Sequence, residues 1–325
     1  MNRLFGFILF SLFICAPHVA FAKGTGYIFV SSEKDHVVTV FKPGSLEVVK
    51  KIPTGQRPRS MRFSNDHSTI YVACGDSDAI DVIDVEKLKV VKSIPIGDDP
   101  DRFDLSPDGK FIYASNEDEG LLTIYDLARE KTVAEVPVGE EPEGVLAHPD
   151  HKGIYVASEV ANMIHVIDGP TRKLVHNIVV GLRPRRMALT PDLRSLWVTN
   201  ELSGTVSIID TQAYKVSDEV KFLPKGFRPE DVTPVGICMT ADGKRAYVTL
   251  GHANHVAVVD VAARRVEKYV LVGKRAWGVA LSTDERTLYV VNGKSDDMSA
   301  IDTKRLKVTR SVPAGRVPHD VIVDN

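Results

Sequence analysis

GDDPDRFDLSPDGKFIYASNEDEGLLTIYDLAREKTVAEVPVG, residues 97–139, holds four short apolar runs separated by turn signals. The first, around Phe103 and Leu105, ends in Ser-Pro-Asp-Gly (106–109). Asp108-Gly109 suits a tight hairpin, because glycine tolerates a positive φ. The other runs are 111–115, 121–126 and 132–138. Strands of about five residues joined by short turns make one four-stranded antiparallel sheet. A single sheet of this kind cannot cover both its faces, so it needs neighbours.

The rest of the chain supplies them. The position of Pro100 recurs as Pro58, Pro100, Pro142, Pro184, Pro234, Ala276 and Pro318, in steps of 42, 42, 42, 50, 42 and 42 residues. The same steps carry Phe29 to Tyr71, Tyr113, Tyr155, Trp197, Tyr247 and Tyr289, and Asp84 to Asp126, Asp168, Asp210, Asp260 and Asp302. Four strands at such a period predict an all-β, seven-bladed β-propeller. The N-terminal unit lacks a first strand, and 317–324 has the register of one. The ring is therefore expected to close by pairing the two ends of the chain in one blade, which leaves no open sheet edge.

Residues 1–22 read as a secretory signal: Arg3, an apolar run over 4–16, and Ala20-Phe21-Ala22 as the cleavage site. The remaining 23–325 is expected to be one propeller domain in the periplasm, with no stable membrane insertion after cleavage. The formal net charge of −2 gives no overall pull toward nucleic acid or anionic lipid. Cys74 and Cys238 fall four units apart and are expected to stay unpaired.

The second-strand runs Tyr-Val-Ala-Cys (71–74), Tyr-Val-Ala-Ser (155–158), Trp-Val-Thr-Asn (197–200), Tyr-Val-Thr-Leu (247–250) and Tyr-Val-Val-Asn (289–292) carry a resemblance. With Ser-Pro-Asp-Gly, Val-Ile-Asp and Ile/Val-Pro-x-Gly, the chain resembles the YVTN-repeat β-propellers. It looks most like the subgroup associated with pyrroloquinoline quinone-dependent alcohol catabolism. The resemblance implies a secreted propeller and no single activity, since one fold hosts many functions. No cofactor is specified.

The seven copies act as their own control. Recurring residues hold up the blade: Asp108, Asp150, Asp192 and Asp242 bond turn backbone, and the aromatic column packs between blades. Residues that differ at one place are the functional candidates. Around the proline position stand Arg59, Arg102, Arg185, Arg186, Arg275, Trp277 and His319. They are expected to line the channel mouth on the face of the fourth-to-first-strand connections. Converging guanidinium groups suit a carboxylate or phosphate, and Trp277 and His319 suit a flat anion. The alternative is that the arginines pair with Glu117, Glu159 and Glu201 in adjoining loops. The single insertion, FLPKGFRPEDVT (222–233), brings Lys225, Phe227 and Arg228 as a possible lid.

No hydrolase or phosphate-binding motif occurs. His252 and His255 share a loop without a third ligand fixed nearby, so no metal site and no catalytic residue is assigned. The reading favoured here is a non-catalytic periplasmic binding or scaffold propeller, accessory to a quinoprotein alcohol-oxidation system. Its partner would be a quinoprotein dehydrogenase or a small organic anion, with no nucleic acid. Left open are a propeller enzyme, lactonase-like or handling a modified haem, and an adhesion or nucleic-acid-binding propeller.

Overall fold

A computed structural model describes residues 24–324. The signal segment proposed for 1–22 lies outside them. Among the described residues seven four-stranded antiparallel sheets form a closed ring. Blade 1 joins Pro318–Val323 to Ile28–Ser32, Val37–Phe41 and Val48–Pro53. Blades 2 to 7 occupy 58–95, 100–137, 142–179, 184–221, 237–271 and 276–313. The first strand of each lines the channel and the fourth is outermost.

The terminal strand pairs with the N-terminal one through Ile28 with Val323, Phe29 with Ile322 and Val30 with Val321. Asp324 clasps the closure. It accepts from the Thr25 amide at 2.7 Å and hydroxyl at 2.6 Å, and faces His67 Nδ1 of blade 2 at 3.1 Å.

The aromatic column explains why blades stack. Phe29 of blade 1 packs with Met61, Ile70 and Val72 of blade 2, and Trp197 of blade 5 with Ala246 and Val248 of blade 6. Each large side chain on a second strand thus covers the next sheet, removing the apolar surface that no blade can bury alone. The recurring aspartates bond turns. Asp126 Oδ1 accepts from the Ala128 and Arg129 amides at 3.0 and 2.9 Å, and Asp108 Oδ1 accepts from Ser106 Oγ at 2.7 Å.

Turn geometry departs from the expectation in one respect. In six of the seven blades the residue before the first strand takes a left-handed backbone: Arg57, Asp99, Glu141, Arg183, Arg275 and Val317 all have φ between 44° and 59°, while Thr233, after the insertion, does not. That conformation swings the chain from the outer strand of one blade to the inner strand of the next.

Two faces result. The upper face carries the fourth-to-first-strand connections and second-to-third-strand loops. The lower face carries the first-to-second-strand and third-to-fourth-strand turns. The insertion lies on the upper side, with a short 3₁₀ turn at Pro229–Asp231.

Candidate functional site

The upper half of the channel is filled by ion pairs. Arg57 pairs with Asp76 at 3.2 Å and with Asp99. Deeper, Arg59 pairs with Glu33 at 2.9 Å and with Asp101, with Glu117 at 3.7 Å. On the far side Arg185 contacts Glu143 and Glu159, with Glu201 at 3.4 Å. Arg183 contacts the same Glu159 and lies 3.5 Å from Glu201. Arg185 is only 4% exposed. These are interior charges that must be neutralised, because an isolated ion out of water is very costly.

Two arginines cross the channel below this layer. Arg102 Nη1 reaches Asp320 at 3.0 Å, and Asp320 also accepts from the Met61 amide at 3.1 Å. Arg186 Nη1 donates to the Glu143 carbonyl and lies 3.6 Å from Asp101, while its Nη2 has no hydrogen-bond partner among the described residues. His319 is buried, with Nε2 3.8 Å from Glu33 and Nδ1 without a partner. The Trp277 ring lies between the Arg185 and Arg275 guanidiniums, at 5.0 and 4.4 Å, and its Nε1 is also unpartnered.

Beneath these groups is a cavity of about 560 Å³. Arg102, Arg186, Trp277, His319 and Asp320 form its inner end. Phe63, Met187, Val279, Leu281 and Val321 make apolar walls, and His67, Ala241, Ser282 and Glu285 belong to the lower-face turns around it. Its size, its apolar wall and the charged groups that share it, Arg62 among them, suit a small polar organic molecule.

The electrostatics set the protonation states. Burial, reinforced by Arg59 and Arg186, holds His319 well below its ordinary range, with Asp101 opposing. His319 is therefore a neutral imidazole at neutral pH. Burial raises Asp101, but Arg59 and Arg186 outweigh it and keep the carboxylate ionised. Burial lowers Arg102 to about 10, against the pull of Asp320. Burial pushes Glu117 up to about 7, with Glu143 and Asp101 adding repulsion.

Several expectations need correcting. Most guanidiniums of the upper mouth are not free, because protein carboxylates already occupy Arg57, Arg59, Arg183 and Arg185; Arg275, against His252 and the Trp277 ring, has no carboxylate partner among the described residues. The cavity opens on the lower face instead. His319 is not an exposed group of the mouth: burial, reinforced by Arg59 and Arg186, holds it well below its ordinary range. Lys225, Phe227 and Arg228 do not form a lid. Phe227 packs edge-on to His255 at 5.4 Å beside the outer strands of blade 6, and Arg228 pairs within its own loop to Asp231 at 2.9 Å. Lys225 is exposed and stays outside the cluster. His252 and His255 are engaged separately, with Arg275 Nη1 at 2.8 Å and the Ala253 carbonyl at 2.6 Å.

Arg102, Arg186, Trp277 and His319 converge on the cavity; Arg59, Arg185 and Arg275 sit above it. Missed from sequence were Glu33, Asp320 and the apolar walls. Glu33 was findable, since it stands 42-residue steps from Glu117, Glu159 and Glu201 with Gly75 between. Asp320 shares the column of Arg102 and Arg186.

A family model described as a YNCE-like beta-propeller matches residues 61–153, and one described as a lactonase, 7-bladed beta-propeller, matches 171–324. No curated protein matches the chain. Similar solved structures include a Pseudomonas aeruginosa periplasmic gluconolactonase, at 19% identity over 92% of this chain and 99% of that one, TM-score 0.78. A putative 6-phosphogluconolactonase from Bacteroides uniformis is similar at 14% identity over 91% and 98%, TM-score 0.77. Kuenenia stuttgartiensis hydrazine synthase is similar at 22% identity over 90% and 99%, TM-score 0.75. At such identities the solved structures establish the shared propeller fold alone. The lactonase family match overturns the reading of a non-catalytic scaffold. It spans Arg185, Arg186, Trp277 and His319, and it favours the hydrolase alternative.

Proposed function

We propose that the chain is a hydrolase of small lactones, with the lower channel cavity as its active site. One observation carries this reading. At the inner end of a cavity of about 560 Å³ stand a neutral His319 and an Arg186 whose Nδ1 and Nη2 are buried without a hydrogen-bond partner among the described residues, within the segment that matches the lactonase family.

The chemistry follows from those atoms. His319 Nδ1 is buried, so substrate entry must first admit a water to it; that water attacks the lactone carbonyl carbon, and the imidazole takes the proton as the new C–O bond forms. Arg186 Nη2 donates to the oxyanion that develops. Asp101 favours the imidazolium and burial with Arg59 and Arg186 opposes it, so the proton is held only briefly. The ring C–O bond then breaks, His319 returns the proton to the departing alkoxide, and a hydroxy acid leaves. No electron is gained or lost. Trp277, pinned between two guanidiniums, gives the inner wall a fixed flat surface, and Arg102 is held in place by Asp320.

Export to the periplasm by the 1–22 segment, and a reaction partner in a quinoprotein oxidation, fit this chemistry. Two-electron oxidation of a cyclic hemiacetal yields a lactone. The test is acid release from a panel of lactones, beginning with glucono-1,5-lactone, followed at constant pH against spontaneous hydrolysis. Enzyme-dependent release that Arg186→Ala depresses supports the reading. A correctly folded protein without effect on any member of the panel overturns it.

A further inference from the structure

The upper face is divided by blade into charged and apolar sectors. In the second-to-third-strand loops one equivalent position reads Lys34, Asp76, Asp118, Val160, Leu202, His252 and Lys294 from blade 1 to blade 7. In the connections the equivalent position is Gln56 before blade 2, then Asp98, Glu140, Leu182, Val232, Lys274 and Arg316. Acid thus gathers on blades 2 and 3, apolar residues on blades 4 and 5, and base on blades 7 and 1. The blade plan requires none of this, because the same backbone accepts all these residue types.

The apolar sector is open. Val160, Leu182 and Leu202 are 51%, 54% and 60% exposed, and the Leu202 amide donates to the Leu182 carbonyl at 3.2 Å, which joins two of them. Asp98, Asp118, Glu140, Lys274 and Lys294 are exposed, and none has an ion-pair partner among the described residues. A patch of this kind on an otherwise charged face marks an interaction surface.

We infer that the upper face binds a second copy of this chain, face to face, about a two-fold axis. Let the axis lie in the interface, between blades 4 and 5 at one side and through blade 1 at the other. The rotation then superposes blade 4 on blade 5, blade 3 on blade 6 and blade 2 on blade 7. Val160 meets Leu202, and Leu182 meets its own copy on the axis. Asp76 faces Lys294, Asp98 faces Lys274, and Glu140 faces the insertion that carries Lys225. Except at blade 1, where exposed Lys34 meets its own copy on the axis, the order of sectors around the ring is self-complementary under one rotation, as an isologous interface requires. The insertion has its place here, as the counterpart of an acidic connection. The cavity stays accessible, because it opens on the lower face.

Sedimentation equilibrium of the full folded protein at low salt tests this, with two charge-reversal variants. Lys274→Glu with Lys294→Glu makes both facing sectors acidic, and Asp76→Lys with Asp98→Lys makes both basic. Wild type is expected at twice the monomer mass. Each variant alone should weaken self-association roughly 100-fold or more, because like charges then face each other. An equimolar mixture of the two variants should associate again, since each then meets its opposite. All four positions are exposed, and far-ultraviolet circular dichroism confirms that both variants are folded. A wild type that remains monomeric, or folded variants that do not associate on mixing, would overturn the inference. So would an upper face that captures only an unlike protein.

Discussion

Arg185 and Arg186 are adjacent in sequence and opposite in consequence. Arg185 is enclosed by Glu143, Glu159 and Glu201. Removing it leaves buried Glu143 without a direct ion-pair partner and Glu159 and Glu201 with Arg183 alone, so Arg185→Ala should destabilise the fold by about 3–5 kcal/mol, read by urea unfolding. Arg186→Ala takes one of two counter-charges from Asp101, which keeps Arg59, so a smaller loss of stability should accompany the fall in kcat. From sequence the two looked alike, both outside the recurring columns and both candidates for the same ligand. What separates them is which carboxylates surround each, and those come from loops of other blades. Glu117 gives a further outcome at this scale. Its carboxyl titrates near about 7 in the folded chain and at an ordinary 4.5 when unfolded. The folded state therefore holds the proton more tightly. This contribution is fully present below about 4.5 and is lost as pH rises toward about 7. Relative to Glu117→Gln, wild type should lose stability on the order of 2–3 kcal/mol across that range, at about 1.4 kcal/mol per unit. Urea midpoints of both proteins at several pH values measure it, and parallel curves would contradict it.

Two elements depend on long-range pairing for their meaning. The strand Pro318–Val323 has no sheet of its own and completes blade 1 through Ile28 to Val30. A chain ending near Pro313 exposes the edges of blade 1 and unseats Asp324 from His67. It should lose its single cooperative thermal transition and not merely fray. A midpoint unchanged from wild type would show that closure contributes little. This strand was legible because it keeps the 42-residue register of Pro100, and strand alternation carries burial with it. The insertion was legible as an insertion and misread as a lid. Position in the chain says which face a loop leaves from, but Phe227 settles by apolar contact with blade 6, which no local pattern announces. Replacing 224–230 by a short glycine linker should therefore leave lactone turnover within about twofold, since the cavity opens elsewhere. A large drop in kcat/KM would restore the loop to the site.

At the scale of the whole molecule the propeller is a ring of repeats with two unlike ends. The repeat specifies seven blades, the aromatic packing between them and the closure, and all of that was readable from three columns. The direction of the site was not. Periodicity places charged residues near the channel, but which end of the channel is plugged depends on how carboxylates of five blades meet arginines of two. Those carboxylates close the upper end, leaving the lower cavity and its neutral His319 as the place for chemistry. The direct test is the rate of lactone hydrolysis by wild type and by folded His319→Gln from pH 5 to pH 8. A general base contributes about 10²–10⁴-fold, so the variant should lose that factor in kcat. Because His319 is held well below its ordinary range, wild-type kcat should show no inflection near 6.5. A variant as active as wild type, or a wild-type profile that titrates near 6.5, would contradict the account.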